Sequence, residues 1–269
     1  MTNGAAATTE TPDRDVSRRA NVTGLGLIGG SIALGLRAQG WHVTGNDVDP
    51  HVQSASLDRD VVDALGLDPD AEITFVAVPV TSAPDEVKRA LAETRGTVTD
   101  VGSVKAPICR AHDDARFVGG HPMAGSELDG LDGAQHDLFS GAVWVLTPVE
   151  HSDDTTFAHV AGVVASLGAE VVGLSPERHD QLVAVVSHVP HLTAATLMGL
   201  ASTRAEEHAA LLRLAAGGFR DMTRVASGRP EIWLDICAET RTAIVDVLDQ
   251  LIACLLDTAD AAGVWYGVV

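Results

Sequence analysis

The chain has 269 residues, 46% hydrophobic and 20% charged, enough to bury roughly 70–75% of its unfolded surface as one large domain or two ordinary ones without disulfide staples. Its 37 acidic and 18 basic residues give a formal charge of −19, which argues against nucleic acid or an anionic membrane surface as the main partner and leaves only local positive sites to hold anions. No apolar run reaches the ~18 residues that span a bilayer, and the three cysteines, Cys109, Cys237 and Cys254, form no C-x-x-C, as expected of reduced thiols in a cytoplasmic protein.

Residues 1–17 are rich in Ala and Thr and lack a basic stretch followed by an apolar core, so a disordered tail is expected there rather than a secretion signal. Beyond it, short β-branched runs alternate with helical stretches. Val22 and Thr23 lead into Gly24-Leu25-Gly26-Leu27-Ile28-Gly29, followed by an amphipathic stretch from Ser31 to Gln39 that ends at Gly40. Further strand candidates are Trp41 to Gly45, which runs on into Asn46-Asp47, then Ile73 to Val80, Thr97 to Val101, Val143 to Thr147 and Glu170 to Leu174. This alternation predicts an α/β Rossmann-type fold, a doubly wound and mostly parallel sheet, over residues 18–174. Arg18, Arg19 and Asn21 fit poorly in a buried first strand.

From residue 175 onward β-rich runs give way to 3.6-residue periodicity, predicting an all-α domain over 175–269. Leu182, Val185, Val186, Val189 and Leu192 form one stripe. A last helix is expected from about Glu231 to about Ala262, with Ile236, Ile244 and Val247 partly outside a second stripe of Leu248, Leu251, Ile252 and Leu255. Apolar over so much of its circumference, it must lie at the centre of a bundle or be covered by a second subunit.

Gly24-x-Gly26-x-x-Gly29, between a strand and a helix, lets the backbone approach a pyrophosphate and sets that anion on a helix N-terminus, with Leu25, Leu27 and Ile28 in the same turn. Asp47 follows Gly29 by 18 residues at the end of the next strand, placed to accept hydrogen bonds from the adenosine ribose hydroxyls of NAD and to repel a 2′-phosphate. Val78 and Pro79, at the end of a later strand run, join the cofactor-binding candidates. The plainer readings are a tight glycine turn and an Asp47 that only caps a turn with Asn46.

Gly119-Gly120-His121-Pro122-Met123-Ala124-Gly125-Ser126-Glu127 is the most unusual stretch, a loop of small residues around a histidine able to take a proton near neutral pH. Asp100-Val101-Gly102-Ser103-Val104-Lys105 ends a strand where open α/β sheets bind ligands, so Ser103 is a candidate to orient His121. Lys105 and Lys88 are the only lysines. His188 and His191 have a metal-ligand spacing, but Pro190 between them distorts the helix and no further ligand adjoins, so no metal is expected.

These residues, with Ser187-His188-Val189-Pro190-His191 and Gly217-Gly218-Phe219-Arg220-Asp221-Met222-Thr223-Arg224, resemble the prephenate/arogenate dehydrogenase family of tyrosine biosynthesis from about Asn21 to about Thr242. The G-G-H-P-x-A-G-S-E, S-H-x-P-H and F-R-D-x-T-R strings, in that order, are far more specific than the glycine loop. The resemblance implies a Rossmann domain, a helical dimerisation domain and an active site between them that oxidatively decarboxylates a cyclohexadienyl carboxylate. It implies that His121 is the catalytic histidine on the ring hydroxyl, with Ser103 beside it. His191 would line the substrate site, Arg224 would bind a carboxylate, Ser126, Glu127 and Asp221 would form the polar surround and Trp233 would flank the pocket. Met222 departs from the aromatic residue frequent at its position. Many relatives carry a regulatory domain or a fused chorismate mutase, for which this sequence has no length.

The expected function is NAD-dependent conversion of prephenate to 4-hydroxyphenylpyruvate by a cytoplasmic homodimer. Arogenate dehydrogenation to tyrosine is the main alternative, with a 4-amino analogue of a specialised pathway behind it. A β-hydroxyacid dehydrogenase would need a lysine base in the helical domain, which both lysines precede, and a non-catalytic NAD-binding protein would not need His121, Ser103 and Arg224 together.

Overall fold

The computed structural model describes residues 18–260 except 127, 209, 228 and 229, so the expected tail and Glu127 lie outside the described residues. Five strands, β1 (Arg19–Thr23), β2 (His42–Asn46), β3 (Ala64–Leu65), β4 (Ile73–Val76) and β5 (Thr97–Asp100), form a parallel sheet in the order β3-β2-β1-β4-β5. The helices α1 (Leu27–Ala38), α2 (Pro50–Asp58), α3 (Ala83–Glu93) and α4 (Ala106–Arg110) follow β1, β2, β4 and β5. β4 ends four residues before the expected limit: Ala77 N still bonds Thr23 O at 2.6 Å, but Pro79 O then accepts Ser82 N and turns the chain.

β1 is the central strand despite its polarity, because Arg19 and Asn21 on it both have partners. The buried Asn21 side chain donates to Asp68 O (2.9 Å) and Thr74 Oγ1 (3.1 Å) and accepts Asp68 N (2.9 Å). Arg19 pairs with Asp68 at 3.0 Å, and the Arg18 guanidinium lies 3.8 Å over the Trp41 ring. A buried amide with all its bonds made contributes stability, whereas an orphaned one would cost about 1–3 kcal/mol.

Three more strands, β6 (Gly119–Pro122), β7 (Val143–Thr147) and β8 (Glu170–Gly173), continue the layer, with β6 antiparallel to β7 and β7 parallel to β8. Val98 N to Arg116 O (2.8 Å) and Val118 N to Val98 O (3.1 Å) join this group to β5. His121 therefore stands on a strand and not in the expected loop. The reason is Gly120: a Cβ there would press on Asp100 O at 2.7 Å and Thr99 Oγ1 at 2.9 Å, so glycine lets β6 lie close against β5.

One core cluster packs α1 and α5 (Asp154–Ser166) on the sheet through Ile32, Leu36, Phe75, Trp144 and Val160, with Trp144 between Phe75 and Phe139. A second cluster, with Val87, Val98, Ile108 and Phe117, seats α3 and α4. Complete burial of each such side chain contributes roughly 1.5–3 kcal/mol.

The second half is helical, as expected. α6 (Pro176–Val183), capped by Ser175, passes through one π turn (Ala184–His188) into α7 (Val189–Glu207). Pro190 has no N–H for the regular ladder and its ring crowds the preceding turn; widening to a π turn relieves both. α8 (Leu211–Leu214), α9 (Gly217–Thr223) and a 3₁₀ turn (Arg224–Ser227) lead to α10 (Pro230–Glu239) and α11 (Arg241–Asp260). The single long helix expected there is two, broken at Thr240, whose hydroxyl donates to Ile236 O and faces the His188 ring at 3.4 Å.

Of the first predicted stripe only Val189 is buried; Val185 and Val186 are 52% and 65% exposed, and Ile252 and Leu255 of the second are exposed too. The continuous helix Pro176–Glu206 is by length and composition apolar enough to cross a bilayer, although it holds no unbroken apolar run of that length, and a third of its most apolar window is buried within the protein.

Candidate active site

The strand order reverses between β1 and β4, and open α/β sheets bind ligands outside the carboxyl ends of their strands at such a switch. Gly24, just past β1, has φ of 86°, and a Cβ there would run into Ala77 O on the neighbouring strand; a Cβ on Gly29 would run into Gly24 O. At Gly26, by contrast, nothing lies within 4 Å of where a Cβ would stand. The turn is thus closed on its protein side and open on the other, where α1 begins with no side chain capping it and no acid in its first turn. That cradle fits a pyrophosphate.

Asp47, at the mouth of the same cleft, accepts Leu25 N at 2.7 Å and Asp49 N at 2.9 Å, so it caps its own turn and is also fastened to the glycine loop. Val78 borders Gly24 and Pro79 lies exposed beside it, while Leu27 and Ile28 are half-buried at the start of α1. The cofactor candidates therefore cluster around the turn after β1, with the Leu25 side chain buried in the core beneath it and only its amide at the turn.

Beside it, β5 and β6 carry the polar chemistry. Asp100 and Lys105 are both fully buried and form an ion pair through Lys105 Nζ. Asp100 also accepts Gly102 N (2.8 Å) and Gly120 N (3.3 Å), which ties the loop after β5 to the strand that bears His121. The amides of Lys105 and Ala106 donate to the two oxygens of Asp180, each at 2.9 Å. Asp180 in turn lies 2.8 Å from His179 Nδ1, and His179 Nε2 lies 2.8 Å from His121 Nδ1. The partner of His121 is thus His179 and not Ser103, which sits half-buried in the loop after β5.

Burial holds the His121 imidazole well below its ordinary value of 6.5, and the neighbouring His179, Lys105 and His188 push in the same direction. Burial works against ionisation of Asp180, but the bonds from His179, Lys105 N and Ala106 N prevail and keep its carboxyl below the usual range. The site accordingly holds a neutral imidazole close to an anionic carboxylate.

The helical half contributes a second cluster. His191 stacks on Trp233 with ring centroids 3.6 Å apart and planes 8° from parallel, and its Nδ1 donates to Val225 O at 2.9 Å, fastening α7 to the 3₁₀ turn that begins at Arg224. His188, buried and edge-on to Trp233, leaves Nε2 with no described partner, and burial lowers its pKa to about 4. Thr81 Oγ1 donates to Asp235 at 3.2 Å, linking the turn after β4 to α10. His191 and Trp233 thus lie together in the helical half, on elements that α10 ties to the turn after β4, and Arg224 is exposed next to Val225. Asp221 is exposed on α9, and Ser126 Oγ accepts Leu128 N in the loop after β6.

Sequence reasoning missed His179, Asp180 and the roles of Asp100 and Lys105, and weighed His188 only as a metal ligand. Scarcity was a usable signal for Lys105, one of only two lysines. Lys105→Met should cost about 3–5 kcal/mol in urea denaturation, because it strips a buried carboxylate of its counter-charge. A loss below about 1 kcal/mol would contradict a buried ion pair of Asp100 with Lys105.

Residues 32–173 match the family model described as prephenate dehydrogenase, nucleotide-binding domain, and residues 175–260 match prephenate dehydrogenase, dimerization domain. The prephenate dehydrogenase of Bacillus subtilis is 35% identical over 246 residues, 86% of this chain and 66% of that relative's length. Prephenate dehydrogenase of Aquifex aeolicus, solved with hydroxyphenyl propionate and NAD+, superposes with a TM-score of 0.85 at 28% identity over 92% of this chain and 91% of that one. Synechocystis arogenate dehydrogenase does so with a TM-score of 0.74 at 32% identity over 90% and 93%. Since the two family models meet within two residues of where β8 gives way to α6, and together match residues 32–173 of the sheet half and 175–260 of the helical half, the chain belongs to the prephenate dehydrogenase family.

Proposed function

We propose that the chain catalyses the NAD-dependent oxidative decarboxylation of prephenate to 4-hydroxyphenylpyruvate. The observation that carries this reading is His121. Its Nδ1 is taken by His179, no described residue claims its Nε2, and it stands on the strand beside the loop after β5, close to the nucleotide cradle. A neutral imidazole with one free nitrogen is a general base for a hydroxyl proton.

His121 takes the proton of the ring 4-hydroxyl as C4 is oxidised. A bound nicotinamide supplies the hydride acceptor. Loss of the C1 carboxylate as CO₂ follows or accompanies this step and makes the ring aromatic. Ser103, in the adjoining loop, is the second catalytic candidate. Arg224 presents a planar guanidinium that matches a carboxylate, and this protein of net charge −19 needs such a local cation. His191 and Trp233 form a flat wall for the substrate, and Ser126, Glu127 and Asp221 are the further substrate-binding candidates.

Gly24, Leu25, Gly26, Leu27, Ile28 and Gly29 hold the pyrophosphate, Asp47 the ribose, and Val78 and Pro79 the nicotinamide side. Asp47 favours NAD over NADP, because a 2′-phosphate beside it would meet a like charge. Residues 18–174 form the nucleotide domain and 175–269 the substrate and dimerisation domain of a cytoplasmic homodimer, a division supported by the family models and by the exposed apolar face of α6, α7 and α11. A lysine-based hydroxyacid dehydrogenation finds no support, as Lys105 is buried against Asp100. Arogenate is the second reading, favoured by the likeness to the Synechocystis enzyme.

The test is NADH formation by the purified protein with NAD+ and either acid. Prephenate should give the higher kcat/KM; a value about tenfold higher for arogenate would reverse the order, and turnover of neither would contradict the reading. His121→Asn should lower kcat by about 10²–10⁴ with a modest change in KM, since an amide forms hydrogen bonds but takes no proton. Retention of more than about a tenth of kcat would remove His121 as the base.

A further inference from the structure

We infer that His179 and Asp180 are positioning residues that act as a relay behind His121, fixing its tautomer so that Nε2 carries the lone pair. The inference rests on the proposed reaction for its purpose but on hydrogen-bond geometry for its content. Asp180 accepts three donors, the amides of Lys105 and Ala106 and the Nδ1 of His179. A carboxylate so bonded is acceptor-only, so the proton on His179 must lie on Nδ1. With a single proton, on Nδ1, His179 presents a lone pair at Nε2, and the group 2.8 Å from it, His121 Nδ1, is then the donor. One proton remains to be placed on the second imidazole, and this bond places it on Nδ1 and away from Nε2.

The arrangement also has a use during turnover. When Nε2 takes the hydroxyl proton, the new imidazolium keeps its Nδ1 proton in the bond to His179, and the Asp180 charge lies behind that bond. The same logic operates when a buried aspartate holds a catalytic histidine in its working tautomer, where loss of the carboxylate is severe because the wrong tautomer forms. Among the described residues, the other charged and titratable groups acting on the pair are Asp100 and Lys105, which pair with each other, and His188 on the π turn. None of them bonds either imidazole in place of the relay partners. Asp180 and His179 come from α6 in the helical half, His121 from β6 in the nucleotide half, so the relay assembles only when the two halves are packed together.

The full-length protein labelled with ¹⁵N-histidine tests this without substrate. NMR near pH 7.5 should find His121 protonated at Nδ1, and His179→Phe should release it toward the Nε2-protonated form usual in water. In steady state, His179→Phe should lower kcat by about 10- to 1,000-fold with KM nearly unchanged. His179→Gln, which donates to Asp180 through its amide nitrogen and accepts from His121 through its oxygen, should recover at least about tenfold of that loss. In a His121→Asn background the His179→Phe change should cost nothing further, as expected for groups that act through one another. Wild-type His121 protonated at Nε2, or an equal loss of kcat in both backgrounds, would overturn the relay. If neither acid is turned over but the Nδ1 tautomer is found, the proposed reaction fails and the relay stands.

Discussion

The segment from Asp100 to Ala106 holds three parts of the molecule in one geometry. Asp100 and Lys105 are buried together, and burial of either charge alone would be prohibitive. Asp100 spends its remaining acceptor capacity on Gly102 N and Gly120 N, which fixes the antiparallel strand bearing His121 against the parallel sheet. The backbone amides that follow, Lys105 N and Ala106 N, grip Asp180 from the helical half. One seven-residue stretch thus sets the nucleotide cleft, the histidine strand and the helical half relative to each other. Replacing any of its charges by a neutral group strands a partner in the interior, so the site is rigid for the same reason it is costly to build.

What the sequence discloses and what it hides divide along a physical line. The glycine turn is legible because its requirements are local: Gly24 needs a positive φ, Gly29 needs the absence of a Cβ, and both are written within six residues. Periodicity likewise marks the change from alternating strands to helices near residue 175. The polarity of β1 misleads, since Asn21 is satisfied by Asp68 and Thr74, 47 and 53 residues away, and no local pattern announces such a partner. His121 was legible as an unusual histidine among glycines, but its strand assignment depends on Asp100 and Trp144 crowding Gly120. The His121–His179 pair spans 58 residues and two halves of the fold, so Ser103, closer in sequence and on the expected strand end, drew the attention instead.

The helical half carries its own tension. Pro190 interrupts the longest helix and yields a π turn, which rotates His188 inward to Thr240 and Trp233 while Val185 and Val186 remain outside. Thr240 breaks the last helix where His188 meets it. The apolar residues left exposed on these elements, Met198, Leu200, Ile252, Leu255 and Leu256 among them, belong to the region that matches the dimerization domain of the family. The same distortion that turns imidazoles toward the cleft therefore leaves a face suited to a second subunit.

Burial keeps His121 neutral as a base at pH values where a solvated imidazole would already be half protonated. Its folded-state pKa lies well below 6.5, so the base form persists as pH falls past that value and is lost only on descent through the lowered one. The pH dependence of kcat with saturating NAD+ and prephenate, with chemistry verified as rate-limiting by a C4-deuterium isotope effect, measures this directly. A neutral, buried His121 gives a plateau from about pH 8 down to about 6.5 and a single protonic loss of activity below it. An acidic limb with its midpoint at or above 6.5, or the same limb persisting in His121→Asn, would contradict it.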